Sequence, residues 1–302
     1  MGMGRVFASI AVFFWGAAYI WGKIAMTWLS PLETTAARFG FGALILLLLI
    51  LFIKKTVWSG FKGHWWHYFL LGFIGITCFQ GSLFFALSIT SPINVAVIMA
   101  LSPVFTAIAE SIVSEHVPGI HTILAIIISV CGATLAVLGS SFDGTSAINF
   151  NWGDSIAVLS ALCFTFYTVA SRRWLPSHIP SLINITIVVS IGAILLLPLT
   201  IGLNPMPGFP QSMAPIWALL GLVIGSTVIA YLCWTQAIER IGVTEPNLIY
   251  NFMPLVAMVL SSIHGAPPTH MQIIGACLVI GGVTWALHQN KAIVKEVDKA
   301  IG

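Results

Sequence analysis

The sequence predicts an all-α integral membrane protein of ten transmembrane helices, built as two inverted five-helix repeats with both termini cytoplasmic. Three observations predict it: a charge-poor apolar composition, ten hydrophobic runs of bilayer-spanning length, and basic residues confined to alternate connections. Of the 302 residues, 58% are hydrophobic and 7% charged, against about 25% charged in a soluble domain. Lipid must therefore supply most of the solvent. Twelve Lys and Arg against nine Asp and Glu leave a net charge of +3, too little to coat a phosphate backbone, so nucleic acid is excluded as a partner. Small molecules and membrane lipid remain. Cys78, Cys131, Cys163, Cys233 and Cys277 lie inside apolar runs and form no C-x-x-C pair, which argues against a disulfide scaffold or zinc site. No cofactor or metal is expected.

A bilayer core of about 30 Å takes roughly 20 helical residues at 1.5 Å each. The first run, near 6 to 26, follows Arg5 as a signal peptide would, but has no A-x-A-like cleavage site and reads as a retained span. The second, 32 to 53, opens after Pro31 with Glu33 in its outer turn and carries Arg38 inside. The third, 66 to 88, starts at an interfacial Trp65-Trp66 pair and carries Gln80. The fourth, 92 to 113, holds Pro103 and Glu110, and the fifth, 120 to 139, is small-residue rich. The sixth, 154 to 172, lies between Trp152 and Trp174, and the seventh, 180 to 201, buries an Asn184-Ile185-Thr186 triplet that would otherwise read as a glycosylation acceptor. The eighth, 214 to 238, begins near Trp217, the ninth, 245 to 264, opens on Glu245, and the tenth is 270 to 289. Trp28 and Trp58 also fall near span ends, where amphipathic rings favour the headgroup layer.

With alternating spans, Arg5, Lys54, Lys55, Lys62, Arg172, Arg173, Arg240, Lys291, Lys295 and Lys299 all fall on one side, which is the cytoplasm by the positive-inside rule. Lys23 and Arg38 are the two basic residues inside spans. The two halves also align weakly in order. Ser9-Ile10-Ala11-Val12 matches Ser155-Ile156-Ala157-Val158, Pro31 matches Pro180, and Gly42-Ala43 matches Gly192-Ala193. Ala86 and Pro103 match Ala237 and Pro254, and Gly132, Thr134 and Ala136 match Gly282, Thr284 and Ala286. Because five spans is an odd number, the second copy must enter the membrane from the opposite side. The expected units are 1–145 and 146–290, with 291–302 as a cytoplasmic tail.

The chain resembles the drug/metabolite transporter superfamily, in particular its EamA-type ten-helix exporters. The resemblance rests on Phe14-Trp15-Gly16 followed by Lys23, on Pro31 followed by Arg38, on Pro103 and Pro254, and on the Gly-rich runs Ser129-Val130-Cys131-Gly132-Ala133 and Ile280-Gly281-Gly282-Val283. It implies a central cavity lined by spans one, three, four, six, eight and nine, with spans five and ten as scaffold. It also implies export of small organic metabolites from an inner or plasma membrane, with amino acids or related compounds as the substrate class.

Candidate site residues follow from polar and aromatic groups that a span must account for, since an ionisable group at the bilayer centre costs about 2.5 to 3.5 kcal/mol. Trp15, Tyr19 and Lys23 are spaced i, i+4, i+8 on one stripe. Lys23 and Arg38 are expected to make an electropositive outer mouth that steers carboxylates, with snorkelling and a structural clamp as the plainer alternatives. Nearer the midplane, Gln80 shares a face with Phe84, Phe164 with Tyr167, and Thr227 and Tyr231 with Trp234. Asn247, Tyr250, Asn251 and Pro254 also fit one helical face. Trp15, Tyr19, Gln80, Tyr167, Trp234, Asn247, Tyr250 and Asn251 are thus the expected cavity residues. Pro103 and Pro254 are expected to kink spans four and nine at the repeat interface. Glu110 is the candidate proton relay, with protons as the candidate coupling ion.

Other readings have less support. Gly16 to Lys23 has the wrong spacing for a phosphate loop, and Ile24 follows the lysine. His64 and His67 flank interfacial tryptophans with no third ligand nearby, and His264 and His270 bracket an outer turn. The nine acids are scattered, so an enzyme is not expected, although a membrane-embedded enzyme and a passive channel stand as rivals.

Overall fold

The computed structural model describes residues 2–53, 63–113, 120–139, 151–176, 178–200, 208–242, 246 and 249–301. The described residues are all helical or in short connections. In chain order the helices are α1 (Gly2–Ala25), α2 (Pro31–Ile53), α3 (Trp65–Gly72), α4 (Phe79–Ile89), α5 (Pro92–Met99), α6 (Ser102–Val113), α7 (Ile120–Gly139), α8 (Trp152–Trp174), α9 (Ser181–Thr200), α10 (Ala214–Leu220), α11 (Ala230–Ile241), α12 (Met253–Ile263) and α13 (His270–Ile301). Among the described residues, 7 helical segments are long and apolar enough to cross a membrane, and shorter apolar helices cover Ile123–Ala136, Met253–Ile263 and His270–Trp285. Phe41, Leu44, Leu48 and Leu51 form an exposed stripe along α2. Such a stripe is tolerated only where lipid is the solvent.

Local sequence sets where the helices begin and end. Ser30 and Glu33 form a reciprocal capping box, with the Ser30 amide donating to Glu33 Oε2 at 2.7 Å and the Glu33 amide to Ser30 Oγ at 3.3 Å. Thr269 and Gln272 repeat the device at the head of α13. Ser91 and Asn151 cap α5 and α8, accepting from the amides of Asn94 and Gly153. Gly242 and Gly265 end α11 and α12 with φ of 73° and 82°, a backbone conformation that costs a glycine little.

Two long spans are interrupted by π turns. Phe73–Cys78 joins α3 to α4, and Gly221–Ile229 joins α10 to α11. A π turn inserts one residue into the α register and leaves a carbonyl without its usual partner. Two other spans are interrupted by a single turn. The segment 92–113 breaks at Ala100–Leu101, and the ninth span turns at Asn251–Phe252. Both interruptions fall in the turn before a proline, Pro103 and Pro254, where the sequence leads one to expect a kink. Each sits second in the helix that follows a break, where a missing backbone N–H leaves nothing unsatisfied.

Packing is set by glycines at the crossings. α7 and α13 lie against each other where Gly132 faces Gly275 and Gly282 faces Ser129, so closely that a Cβ at Gly282 would stand 2.5 Å from Ser129 Oγ and 3.0 Å from the Ala125 carbonyl. Gly16 brings α1 onto Val256 and Met253 of α12. Gly42 seats α2 on Thr227, and Gly192 seats α9 on Ile76, next to Thr77, which donates to the Gly192 carbonyl at 3.2 Å. Interhelical polar bonds close the ends. Tyr68 of α3 donates to Asn184 of α9. At the opposite end Asp154 of α8 accepts from Thr90 Oγ1 at 2.7 Å and from Asn94 Nδ2 at 3.4 Å, while Gln272 Nε2 donates to Asn94 Oδ1 at 2.9 Å.

Candidate functional site

Where α1, α8, α11 and the ninth span meet, aromatic side chains converge. Trp15 lies 5.0 Å from Trp234, 5.7 Å from Tyr231 and 5.9 Å from Tyr250 between ring centroids, and Trp234 lies 6.0 Å from Tyr250. These contacts are tilted or edge-on, the arrangement that ring quadrupoles prefer. Tyr250 also stacks on Phe164 at 6.1 Å with planes 7° apart, and Phe164 continues to Phe79 at 5.1 Å and Tyr167 at 6.5 Å. Tyr167 is set by Gly75, since a Cβ there would run into its ring. The rings pack against one another, so this aromatic chamber is filled by its own side chains.

Beside it is a polar group of residues organised by the second π turn. At the end of that turn the backbone amides bond the Gly225 and Thr227 carbonyls and pass over Ser226. The Ser226 carbonyl accepts instead from Trp15 Nε1 at 3.0 Å and Arg38 Nη2 at 3.4 Å. Arg38 also donates from Nε to Thr227 Oγ1 at 3.1 Å and from Nη1 to Gln80 Oε1 at 3.3 Å. Its guanidinium lies over the Phe39 ring at 4.7 Å and the Phe84 ring at 5.6 Å. Arg38 is 2% exposed and Gln80 5%. The π turn thus joins the aromatic and cationic groups through one shared acceptor.

Asn251 is the sharpest anomaly. It is 0% exposed, it sits at the helix interruption before α12, and neither Oδ1 nor Nδ2 has a hydrogen-bond partner among the described residues. A buried amide left unsatisfied costs about 1–3 kcal/mol.

The sequence-predicted residues divide as follows. Trp15, Trp234 and Tyr250 meet in the chamber, and Tyr167 joins it through Phe164. Tyr19 is buried one turn beyond Trp15, with its hydroxyl on Met253 Sδ at 3.9 Å. Gln80 belongs to the Arg38 group. Arg38 does not face an outer vestibule. Its long side chain runs inward to acceptors on α4 and the π turn, which leaves Lys23 half-buried nearer the outer end without it. Asn247 lies outside the described residues, as does the side chain of Glu110.

Sequence reasoning missed Phe79, the Ser226 carbonyl and Asp154. Asp154 is 2% exposed, and its signal was available in its position, the first turn of a helix after an Asn cap. Among the described residues, no group of three or more His, Cys, Asp or Glu could hold a metal ion.

Comparison with known proteins gives this geometry a family. The model of the EamA-like transporter family matches twice, over residues 2–138 and 151–287. The uncharacterized transporter YyaM of Bacillus subtilis is 31% identical over 274 residues, covering 90% of each chain. An uncharacterized transporter of Archaeoglobus fulgidus is 23% identical over 279 residues, covering 91% of this chain and 94% of its own. A solved crystal structure superposes with a TM-score of 0.69 at 19% identity, over 96% of this chain and 98% of that one, which shows a shared fold. With two copies of the family's repeat and a multi-pass apolar architecture, the chain belongs to the EamA-like transporter family.

Proposed function

We propose that this membrane transporter is a secondary exporter of small organic metabolites, with amino acids and related compounds as its substrate class, working by alternating access around the aromatic chamber. The observation that carries the reading is Asn251, a fully buried amide with both polar atoms free among the described residues, at a helix break beside a chamber built from both repeats. Irregular backbone at membrane depth is tolerated where it lines a binding cavity. A chamber of Trp and Tyr with a few polar groups suits a compact ligand held by stacking and hydrogen bonds.

The proposal takes the seven long spans and the three shorter apolar helices as ten transmembrane helices. It groups them as units 1–145 and 146–290 of inverted topology, with 291–302 a tail and both termini cytoplasmic. Reciprocal crossings support the inversion. Gly42 of α2 meets Thr227 at the second π turn, and Gly192 of α9 meets the first π turn beside Thr77. Gly192 follows Gly42 in the chain by the same interval as Thr227 follows Thr77. A cytoplasmic or plasma membrane is the expected location.

The test is uptake of a labelled amino-acid panel into proteoliposomes, with unlabelled compound inside and with or without a pH gradient. Saturable uptake accelerated by internal substrate is expected, and the pH arm reads whether protons couple. Trp234→Ala is expected to cut uptake at unchanged abundance. Uptake that neither saturates nor shows counterflow identifies a passive channel and refutes the carrier.

A further inference from the structure

Resting on that transporter reading, we propose that Arg38 is the anion subsite of the chamber, where its guanidinium receives a carboxylate of the substrate. Every partner of Arg38 among the described residues is neutral or aromatic: a hydroxyl, an amide oxygen, a backbone carbonyl and two phenyl faces. The bonds, at 3.1 to 3.4 Å, are longer than the roughly 2.7–2.9 Å of a guanidinium on a carboxylate. A guanidinium carries five donors and these bonds use three, leaving one N–H on each terminal nitrogen. Those two N–H groups are the donors left for a carboxylate.

The charge itself needs a reason. As a tie between α2, α4 and the π turn, Arg38 could be replaced by a neutral amide without placing an unbalanced cation at 2% exposure. Buried cations otherwise come with a counter-charge. The described acids that share its neighbourhood in sequence or fold are engaged elsewhere. The Glu33 carboxylate caps the Ser30 amide, and Asp154 serves Thr90 and Asn94. Within the chamber Tyr19 and Tyr231 are the titratable groups in electrostatic range of Arg38, and both are neutral hydroxyls when protonated. Trp15 shares the Ser226 carbonyl with Arg38, so a ligand whose carboxylate engages the guanidinium places its remaining body against Trp15, Tyr231 and Trp234. The repeat-related position on α9 carries the apolar, fully buried Val188, so the chamber has one such subsite, not two.

The experiment uses the purified full chain in lipid nanodiscs and matched acid and amide probes: phenylalanine and phenylalaninamide, indole-3-acetate and indole-3-acetamide, benzoate and benzamide. Binding is read by ligand-induced thermal shift and by tryptophan quenching. The acids are expected to bind about tenfold or more tighter than their amides, because a site built to pair a charge rejects the analogue lacking it. Gln80→Glu supplies Arg38 with a resident carboxylate. It is expected to abolish the acid preference while the unfolding temperature stays level or rises, which separates the effect from misfolding. Arg38→Gln is expected to lose the preference as well.

Equal binding of acids and amides, no acid binding at millimolar concentration, or an acid preference that survives Gln80→Glu would each overturn the subsite. Counterflow of the same probes is scored separately. An acid that binds through Arg38 but is never carried refutes that compound class as substrate and keeps the subsite. A carried compound whose uptake ignores both substitutions refutes the subsite and keeps the transporter.

Discussion

Replacing Asn251 by leucine should make the protein more stable and less useful. The side chain is 0% exposed and both polar atoms lack partners. The folded chain therefore carries the full desolvation of an amide, about 1–3 kcal/mol, with no bond among the described residues to offset it. Leucine has the same branched heavy-atom skeleton with larger methyl ends and removes that penalty, so Asn251→Leu is expected to stabilise the protein by up to about 1–3 kcal/mol, less whatever its extra volume costs in packing. Asn251→Ala removes the same polar atoms but leaves a cavity whose cost is of like size, so its net effect on stability should be near zero. If the amide is retained for a ligand, both variants should lose about tenfold in transport, equivalent to about 1.4 kcal/mol of lost binding. The assays are thermal unfolding in detergent, followed by loss of the monodisperse peak, and counterflow in proteoliposomes normalised to inserted protein. A fall in unfolding temperature for Asn251→Leu would refute the argument, because it would mean that the amide is satisfied within the fold. Unimpaired counterflow in both variants would refute its role in binding.

Two further perturbations probe the frame around the chamber. Gly282→Leu should fail at folding first, because its Cβ alone would stand 2.5 Å from Ser129 Oγ; overpacking of this kind costs about 1–3 kcal/mol or more, and membrane abundance should fall with any residual protein keeping its selectivity. Asp154→Ala should lower stability by about 1–3 kcal/mol by stranding the buried Thr90 and Asn94 groups that now donate to it, measured by thermal unfolding; a changed ranking of transported compounds would instead place Asp154 in the binding machinery.

Much of the frame was legible in the sequence because the bilayer imposes it. Apolar runs of fixed length, Trp at their ends and glycines where helices cross are demands of the solvent and of close packing. The seating of α7 on α13, with Gly132 against Gly275 and Gly282 against Ser129, follows from them. The aromatic members of the site were also legible, since Trp15 and Trp234 lie too deep for an interfacial role. What periodicity could not reveal is where it fails. A 3.6-residue pattern read through 65–89 or 214–241 passes over the π turns, and with them the released Ser226 carbonyl that draws Arg38 inward. Pro103 and Pro254 signalled a disturbance but not its form, because proline suits the first turn after a break as well as it forces a kink. Asp154 was passed over as one scattered acid, and only the fold brings Thr90, Asn94 and Gln272 to it.

The two π turns also alter how motion passes along their spans. Each inserted residue turns whatever follows by about 100° relative to an uninterrupted α-helix, so α4 and α11 present faces that are out of phase with those of α3 and α10. In the first of these spans the two halves are anchored on different helices: α3 answers to α9 through Gly72 and Tyr68, while α4 answers to α8, where Ser160 Oγ donates to the Phe79 carbonyl at 3.0 Å. Sliding the extra residue by one position would swivel Gln80 or Thr227 relative to Arg38 while leaving the other half of the same rod in its seat.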